Sequence, residues 1–282
     1  MSLEYDKIKV STKTIIGVSN LGINIQKVFT TMPVDDINDT NEEKEVKIRT
    51  IYYGMEKRGM IVSEKKKTKK SFRNAINIIA ELPQQKFINF KVSKNGKFQM
   101  TGCKSEEHAL KIVSHFIQHL ITHCKSHITV SKNNSILVFF QTVMTNIDFS
   151  IGFKINRQKL DEHMNRDTVY HSLLETSCGY TGVNIKFPLD IKWWDLPVPV
   201  LFCPQVLEGV PLQWENSKEP LIKMTEIPME KKQKKKYNTF LVFHSGNIIM
   251  SGMMRETMKQ DFDIFIKLLQ EWRPHIEEKI FE

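Results

Sequence analysis

Four histidines, His115, His119, His123 and His127, recur every fourth residue in HFIQHLITHCKSH, with Cys124 among them. Imidazoles one helical turn apart can share a metal ion, so coordination is the first chemistry this chain suggests. Against it, no HExxH arrangement is present, and the histidines flank an apolar stripe of Ala109, Ile112, Val113, Phe116, Ile117 and Leu120. The series therefore reads as a solvated or partner-facing strip, and no metal is expected. Cys103, Cys124, Cys178 and Cys203 form neither CxxC pairs nor a disulfide framework and read as reduced thiols of an intracellular protein. The sequence contains no glycine-rich phosphate loop, nucleophile elbow or paired-carboxylate motif. Asp148, Asp161 and Glu162 read as surface charges, so neither catalysis nor a cofactor is expected.

The remaining chemistry is cationic. A formal charge of +9 and a pI near 9.2 favour polyanionic partners. Two dense clusters carry much of it, Lys65-Lys66-Lys67-Thr68-Lys69-Lys70 and Lys231-Lys232-Gln233-Lys234-Lys235-Lys236, each shortly before a strand signal. The bland reading is a pair of solvated loops. No apolar run approaches the roughly 20 residues of a membrane helix, and MSLEYDKIKV lacks the apolar core of a secretory signal. No membrane partner is expected.

The elements that would position these residues are written twice. Lys86 to Lys104, KFINFKVSKNGKFQMTGCK, recurs without a gap as Lys236 to Met254, KYNTFLVFHSGNIIMSGMM. Lys86/Lys236, Phe90/Phe240, Val92/Val242, Gly96/Gly246, Met100/Met250 and Gly102/Gly252 coincide. Asn95-Gly96 suits the positive φ angles of a tight hairpin, and each copy leads into an amphipathic helix, the second over Glu256 to Trp272 and limited by Pro274. Upstream, strands are expected over Thr14–Ile25 and Phe72–Ala80 in the first half, with Val46–Tyr53 either another strand or part of a long excursion, and over Ser135–Ile155 and Gly182–Phe187 in the second. Short helices are expected near Gln26–Thr31 and Gln158–Asn165. Residues 190–235, rich in proline and tryptophan, break regular structure and read as a long surface insertion. The expected division is a repeat over 1–127 and a second over 128–282. Two such halves imply an α+β fold in which their strands join one curved antiparallel sheet, with helices on one side and the other side free for a ligand.

These passages resemble the TATA-binding protein family, whose repeats carry a VNLG-type strand and a hairpin ending in T-G-A-K before a long helix. The matching stretches are Val18-Ser-Asn20-Leu-Gly22, Gly96-Lys97 through Thr101-Gly-Cys-Lys104-Ser-Glu-Glu107, and Leu241-Val-Phe243-His-Ser-Gly246 through Ser251-Gly252. The long insertions look most like the TATA-binding-like proteins of large cytoplasmic DNA viruses. The resemblance implies a saddle of two pseudo-twofold repeats that lies in the minor groove of double-stranded, A/T-rich DNA, bends it, and recruits RNA polymerase or another transcription factor during initiation. Localisation would be intracellular and, for a viral protein, in the host cytoplasm, virus factory, virion or nucleus.

Carried across by position, Asn20 and Asn146 resemble groove-facing asparagines, and Thr101 and Ser251 the paired hydroxyls beside them. Phe243 falls on a wedge phenylalanine, whereas its counterpart in the first copy is Ser93; Phe72 and Tyr180 fall near the upstream wedge positions. Lys97 and Lys104 match phosphate-contacting lysines, but the second copy has Asn247 and Met254 there, with Arg255 one residue on. Alternation points Phe90 and Phe240 away from Phe243 and into the core. The same fold could instead serve as a protein-interaction scaffold with a weakened DNA face, and a nuclease with a duplicated fold ranks behind both.

Overall fold

The computed structural model describes residues 3–35, 46–60, 74–83, 86–130, 133–174, 182–189, 199–207, 209–216 and 235–278. In chain order the strands of the first part are β1 (Val10–Ser19), β2 (Gly22–Ile23), β3 (Lys47–Tyr53), β4 (Glu56–Gly59), β5 (Ala75–Leu82), β6 (Lys86–Ser93), β7 (Lys97–Cys103) and β8 (Ile128–Thr129). They are followed by β9 (Ile136–Ser150), β10 (His171–Leu174), β11 (Gly182–Pro188), β12 (Val200–Cys203), β13 (Glu215–Asn216), β14 (Tyr237–Phe243) and β15 (Asn247–Gly252). The helices are α1 (Ile25–Thr31), α2 (Glu106–His123), α3 (Arg157–Asp167) and α4 (Arg255–Ile276).

The chain divides into two compact units. Unit N comprises Thr14–Thr142 and Trp194–Pro228; unit C comprises Met1–Lys13, Val143–Trp193 and Met229–Glu282. The boundary thus falls inside β1 and inside β9. Unit N carries the antiparallel hairpin β6–β7, with β5, β3 and β4 beyond β6 and β1 beside β7. Unit C carries β14–β15, with β11 and β10 beyond β14 and β9 beside β15. Strand for strand, β5-β6-β7-β1 has the same order as β11-β14-β15-β9.

The repeat extends to helix caps. Asn24 accepts a hydrogen bond from the Lys27 N–H at 3.2 Å to open α1, and Asn156 accepts one from the Lys159 N–H at 3.0 Å to open α3. Both caps sit in an Ile-Asn-x-Gln-Lys pentapeptide, and such a cap stabilises a helix by about 1 kcal/mol.

Each unit buries one face of its sheet. In unit N the expected α2 stripe, Ala109 to Leu120, is buried, and Phe116 meets Phe90 edge-on with ring centres 5.1 Å apart. In unit C, Phe240 stacks on Phe265 of α4 at 4.0 Å and meets Phe187 of β11 at 5.1 Å. Phe90 and Phe240 are therefore core residues, as alternation requires. Each such pair adds about 1 kcal/mol beyond the area it buries.

Three expectations are corrected. First, α4 runs through Pro274 to Ile276, because Trp272 and Ile276 are buried and packing outweighs the proline's missing donor. Second, the 190–235 stretch is not only a surface excursion. Val200–Cys203 forms β12, pairs with Ile136–Phe139 of β9 and adds Leu201, Cys203 and Val206 to the unit N core. Third, the strand expected to run to Ile25 ends at Ser19, where Asn20 turns its side chain to the backbone. Separately, at the N-terminus, Tyr5 is buried against Phe262 with ring centres 5.2 Å apart.

Gly96 and Gly246 close the two hairpins at φ +67° and +83°. A Cβ at Gly96 would lie 2.4 Å from the Leu21 carbonyl oxygen, and at Gly246 2.1 Å from that of Phe153. Both sites combine positive φ with backbone contact, so neither tolerates a side chain. Gly96→Ala and Gly246→Ala should each destabilise by about 1–3 kcal/mol, read as lowered urea midpoints; an unchanged midpoint in either would refute the duplicated constraint.

Candidate nucleic-acid interface

Because α2 and α4 cover one face of each hairpin, alternate residues of β6, β7, β14 and β15 emerge on the other face. In unit C the register lines them up in rows across the strands. One row runs His171, Lys186, Thr239, Ser251, Asn146; the next runs Leu173, Asn184, Leu241, Ile249, Asp148. All ten side chains are half-buried or exposed. Ser251 and Asn146 are direct cross-strand partners, so two residues singled out from the sequence meet. The Asn146 Oδ1 is shielded and has no hydrogen-bond partner among the described residues, a state that an incoming donor would relieve.

Phe243 stands at the end of β14 opposite Gly182. It borders an open cleft shared with Asp148, His244, Asn247 and Ile249, and is only half-buried. The counterpart Ser93 donates to Asn95 Oδ1 at 2.7 Å and to the Lys97 carbonyl at 3.0 Å, closing its own hairpin. The wedge position of the first copy has thus become part of a turn.

Unit N also presents rows. Tyr52, Asn77, Lys91 and Gln99 align across β3, β5, β6 and β7, and Ile79, Asn89 and Thr101 align beside them. Lys97 is exposed at the start of β7. Lys104 is exposed at the far end, where its N–H donates to His108 Nδ1 at 3.4 Å. Burial and then Lys104 lower the Lys86 pKa, and burial and then Lys86 lower that of His108, which marks a local concentration of positive charge.

Other expected contacts have structural duties. The Asn20 amide donates to the Ser135 carbonyl at 2.9 Å and accepts from the Leu137 N–H at 3.0 Å, tying the end of β1 to β9. The Arg255 guanidinium donates to the Tyr5 carbonyl at 3.0 Å and lies 5.1 Å over the Tyr5 ring. Phe72 and Tyr180 lie outside the described residues. Sequence reasoning missed Asn77, Asn89, Lys91, Gln99, Thr239, Leu241 and Ile249. Alternation away from Phe90 and Phe240 was the signal that could have found them.

On α2, the His115 and His119 rings lie 4.3 Å apart and are half-buried, while His123 is exposed. No group of three or more metal-ligating side chains occurs among the described residues. No helix among them is long and apolar enough to cross a membrane.

Each unit therefore repeats one plan, strand, short helix, strands, hairpin and long helix, with one sheet face that no described helix covers. That is an α+β protein built of two like repeats. No family model matches the chain. It is 28% identical over 292 aligned residues, 97% of this chain and 86% of the other, to the uncharacterized protein 335L of Invertebrate iridescent virus 6. It is 27% identical over 217 residues, 66% of this chain and 59% of the other, to a TATA-box-binding protein-like protein of Acanthamoeba polyphaga mimivirus. Methanococcus jannaschii TBP aligns with 94% of this chain and 98% of its own at 14% identity, with a TM-score of 0.43. The chain is thus similar to proteins of large DNA viruses, one of which is named TATA-box-binding protein-like.

Burial, then the neighbouring His119, lowers the His115 pKa to about 4, opposed by Asp35. The unfolded chain takes up this proton near pH 6.5 and the folded one does not, so stability falls as pH drops from there toward 4. His115→Leu should shrink that fall. Urea midpoints taken across this range check it, and parallel pH profiles for both proteins would contradict the assignment.

Proposed function

We propose that the protein is a transcription initiation factor that binds double-stranded DNA in the minor groove through its helix-free sheet faces and bends it. The observation that carries this reading is the unit C face, where the hydroxyl and amide row Thr239, Ser251, Asn146 runs beside Leu241 and Ile249, which Asn184 and Asp148 flank in their own row, with Phe243 at the end of β14. An A·T minor groove presents only acceptors, which hydroxyl and amide donors satisfy. An apolar wedge can unstack a base step at a cost of a few kcal/mol, offset by wider contact with the bent duplex. Thr101 offers the matching hydroxyl in unit N, and Lys97 and Lys104 supply phosphate contacts. The two repeats would correspond to residues 1–127 and 128–282, and the helices would recruit polymerase or a second factor inside the infected cell. We assign binding and not turnover.

A scaffold reading is favoured by one group of observations, the internal commitments of Ser93, Asn20 and Arg255. Titration of A/T-rich and G/C-rich duplexes, with bending followed by energy transfer, separates the two. Salt-independent absence of binding would leave the scaffold.

Phe243→Ala should diminish the bend while changing affinity for random duplex by less than about twofold; a full bend in the variant would remove Phe243 from the interface. Replacing Lys97 and Lys104 together by alanine should reduce the slope of log affinity against log salt by about 2. An unaltered slope would exclude them as phosphate contacts.

A further inference from the structure

Between α3 and α4, unit C brings together two histidines that lie far apart in the chain. The rings of His163 on α3 and His275 on α4 have centres 5.6 Å apart. Trp272 of α4 stacks on the His163 ring at 5.3 Å, with the planes 26° apart. His163 is half-buried and His275 is exposed, so the pair is reachable from solvent. His163 Nδ1 lies 2.8 Å from Asp167 Oδ2, and Arg166 donates to both oxygens of the same carboxylate, at 2.7 and 2.9 Å.

Zn–N bonds of about 2.0–2.1 Å meeting near the tetrahedral angle put two imidazole centres roughly 5–6 Å apart, and the His163–His275 spacing falls in that range. A histidine coordinates through a ring nitrogen that carries no proton, and a carboxylate on the other nitrogen fixes which one that is. Arg166, and then His163, hold the Asp167 carboxyl well below the usual carboxylate range, so Asp167 accepts and the shared proton sits on His163 Nδ1. That leaves the Nε2 lone pair for an ion. Arg166 Nη2 also approaches Nδ1, at 3.0 Å, but a guanidinium can only donate, and both Asp167 oxygens already receive it. The charges of Arg166 and Asp167 offset each other, which removes most of the repulsion that a cation would meet.

We propose that His163 and His275 hold a zinc-like divalent transition ion that pins α3 to α4, with Asp167 as a positioning residue. Imidazole suits ions of this class. No third ligating side chain joins the pair among the described residues, so the remaining positions go to water and the ion exchanges readily. On α2, His115 and His119 lie closer, at 4.3 Å, and His119 and His123 lie 5.5 Å apart on a single helix, which makes that strip the competing place for an ion.

The test uses the full chain, stripped of metal with a chelator and titrated with Zn2+ alone in a calorimeter. Wild type should take up a single ion. His275→Ala should weaken that uptake at least about tenfold; the position is exposed, so this variant carries the test if His163→Ala does not fold. Asp167→Ala, which keeps both rings, should weaken uptake by about tenfold, and Asp167→Asn, whose amide oxygen still accepts from the Nδ1–H, should recover part of the loss. His119→Ala combined with His123→Ala should leave uptake unchanged. Ni2+ supplies a second readout, because an ion at the pair lies beside Trp272: it should quench the part of the fluorescence that Trp272→Phe removes, and should not do so in His275→Ala. The proposal is overturned if wild type takes up no Zn2+, if His275→Ala binds as tightly as wild type, if the α2 double variant alone abolishes uptake, or if Ni2+ dims the Trp272 emission equally with and without His275. Equal uptake by wild type and Asp167→Ala would remove the positioning role.

Discussion

The period of two along the hairpin strands, combined with helices on one side only, governs most of what this protein can be. Ile88, Phe90 and Val92 of β6 point under α2, and Phe240 and Val242 of β14 point toward α4, leaving Asn89, Lys91 and Ser93, or Thr239, Leu241 and Phe243, outside. Packing density leaves inward positions little freedom. The inward pairs Phe90/Phe240, Val92/Val242 and Met100/Met250 are identical between copies, whereas the outward pairs Lys91/Leu241, Ser93/Phe243 and Gln99/Ile249 have diverged. Inward positions differ at Ile88/Asn238 and Phe98/Ile248; Asn238 is accommodated by donating to the Thr257 carbonyl and Asp261 carboxylate. Inward changes thus stay buried, while outward ones alter the chemistry that the open face presents.

This division also explains what could be read from the chain alone. The hairpins, the α2 stripe and the burial of Phe90 and Phe240 were legible because each rests on local periodicity or an obligatory glycine. β12 was not, since four apolar residues among prolines have no period of their own and become a strand only beside β9. The place of Tyr5 was equally invisible: a lone aromatic in a basic, polar terminus gains its core role from Phe262, more than 200 residues away. The two Ile-Asn-x-Gln-Lys caps are a further repeat in the chain, too short to be distinctive beside the hairpins.

The candidate site was legible in part for a related reason. Thr101, Ser251, Asn146 and Phe243 emerge on open sheet faces because their strands fix them there. Asn20 and Arg255 lie at strand and helix ends, where a side chain can turn to the nearest unsatisfied backbone group, and both do. Position in a motif predicts direction well within a strand, Phe243 at the end of β14 included, and poorly just beyond one.

The pairing of β12 with β9 has a bearing on colloidal behaviour. Without it, Ile136–Phe139 would present an apolar strand with free backbone donors and acceptors, the kind of surface on which other chains add by strand-to-strand zippering. β12 occupies that surface, and the strand outside it, β13, is only two residues long, too short to seed further growth. β12 thus shields this margin of β9, and removing Val200–Cys203 to obtain a more compact protein would expose a sticky strand.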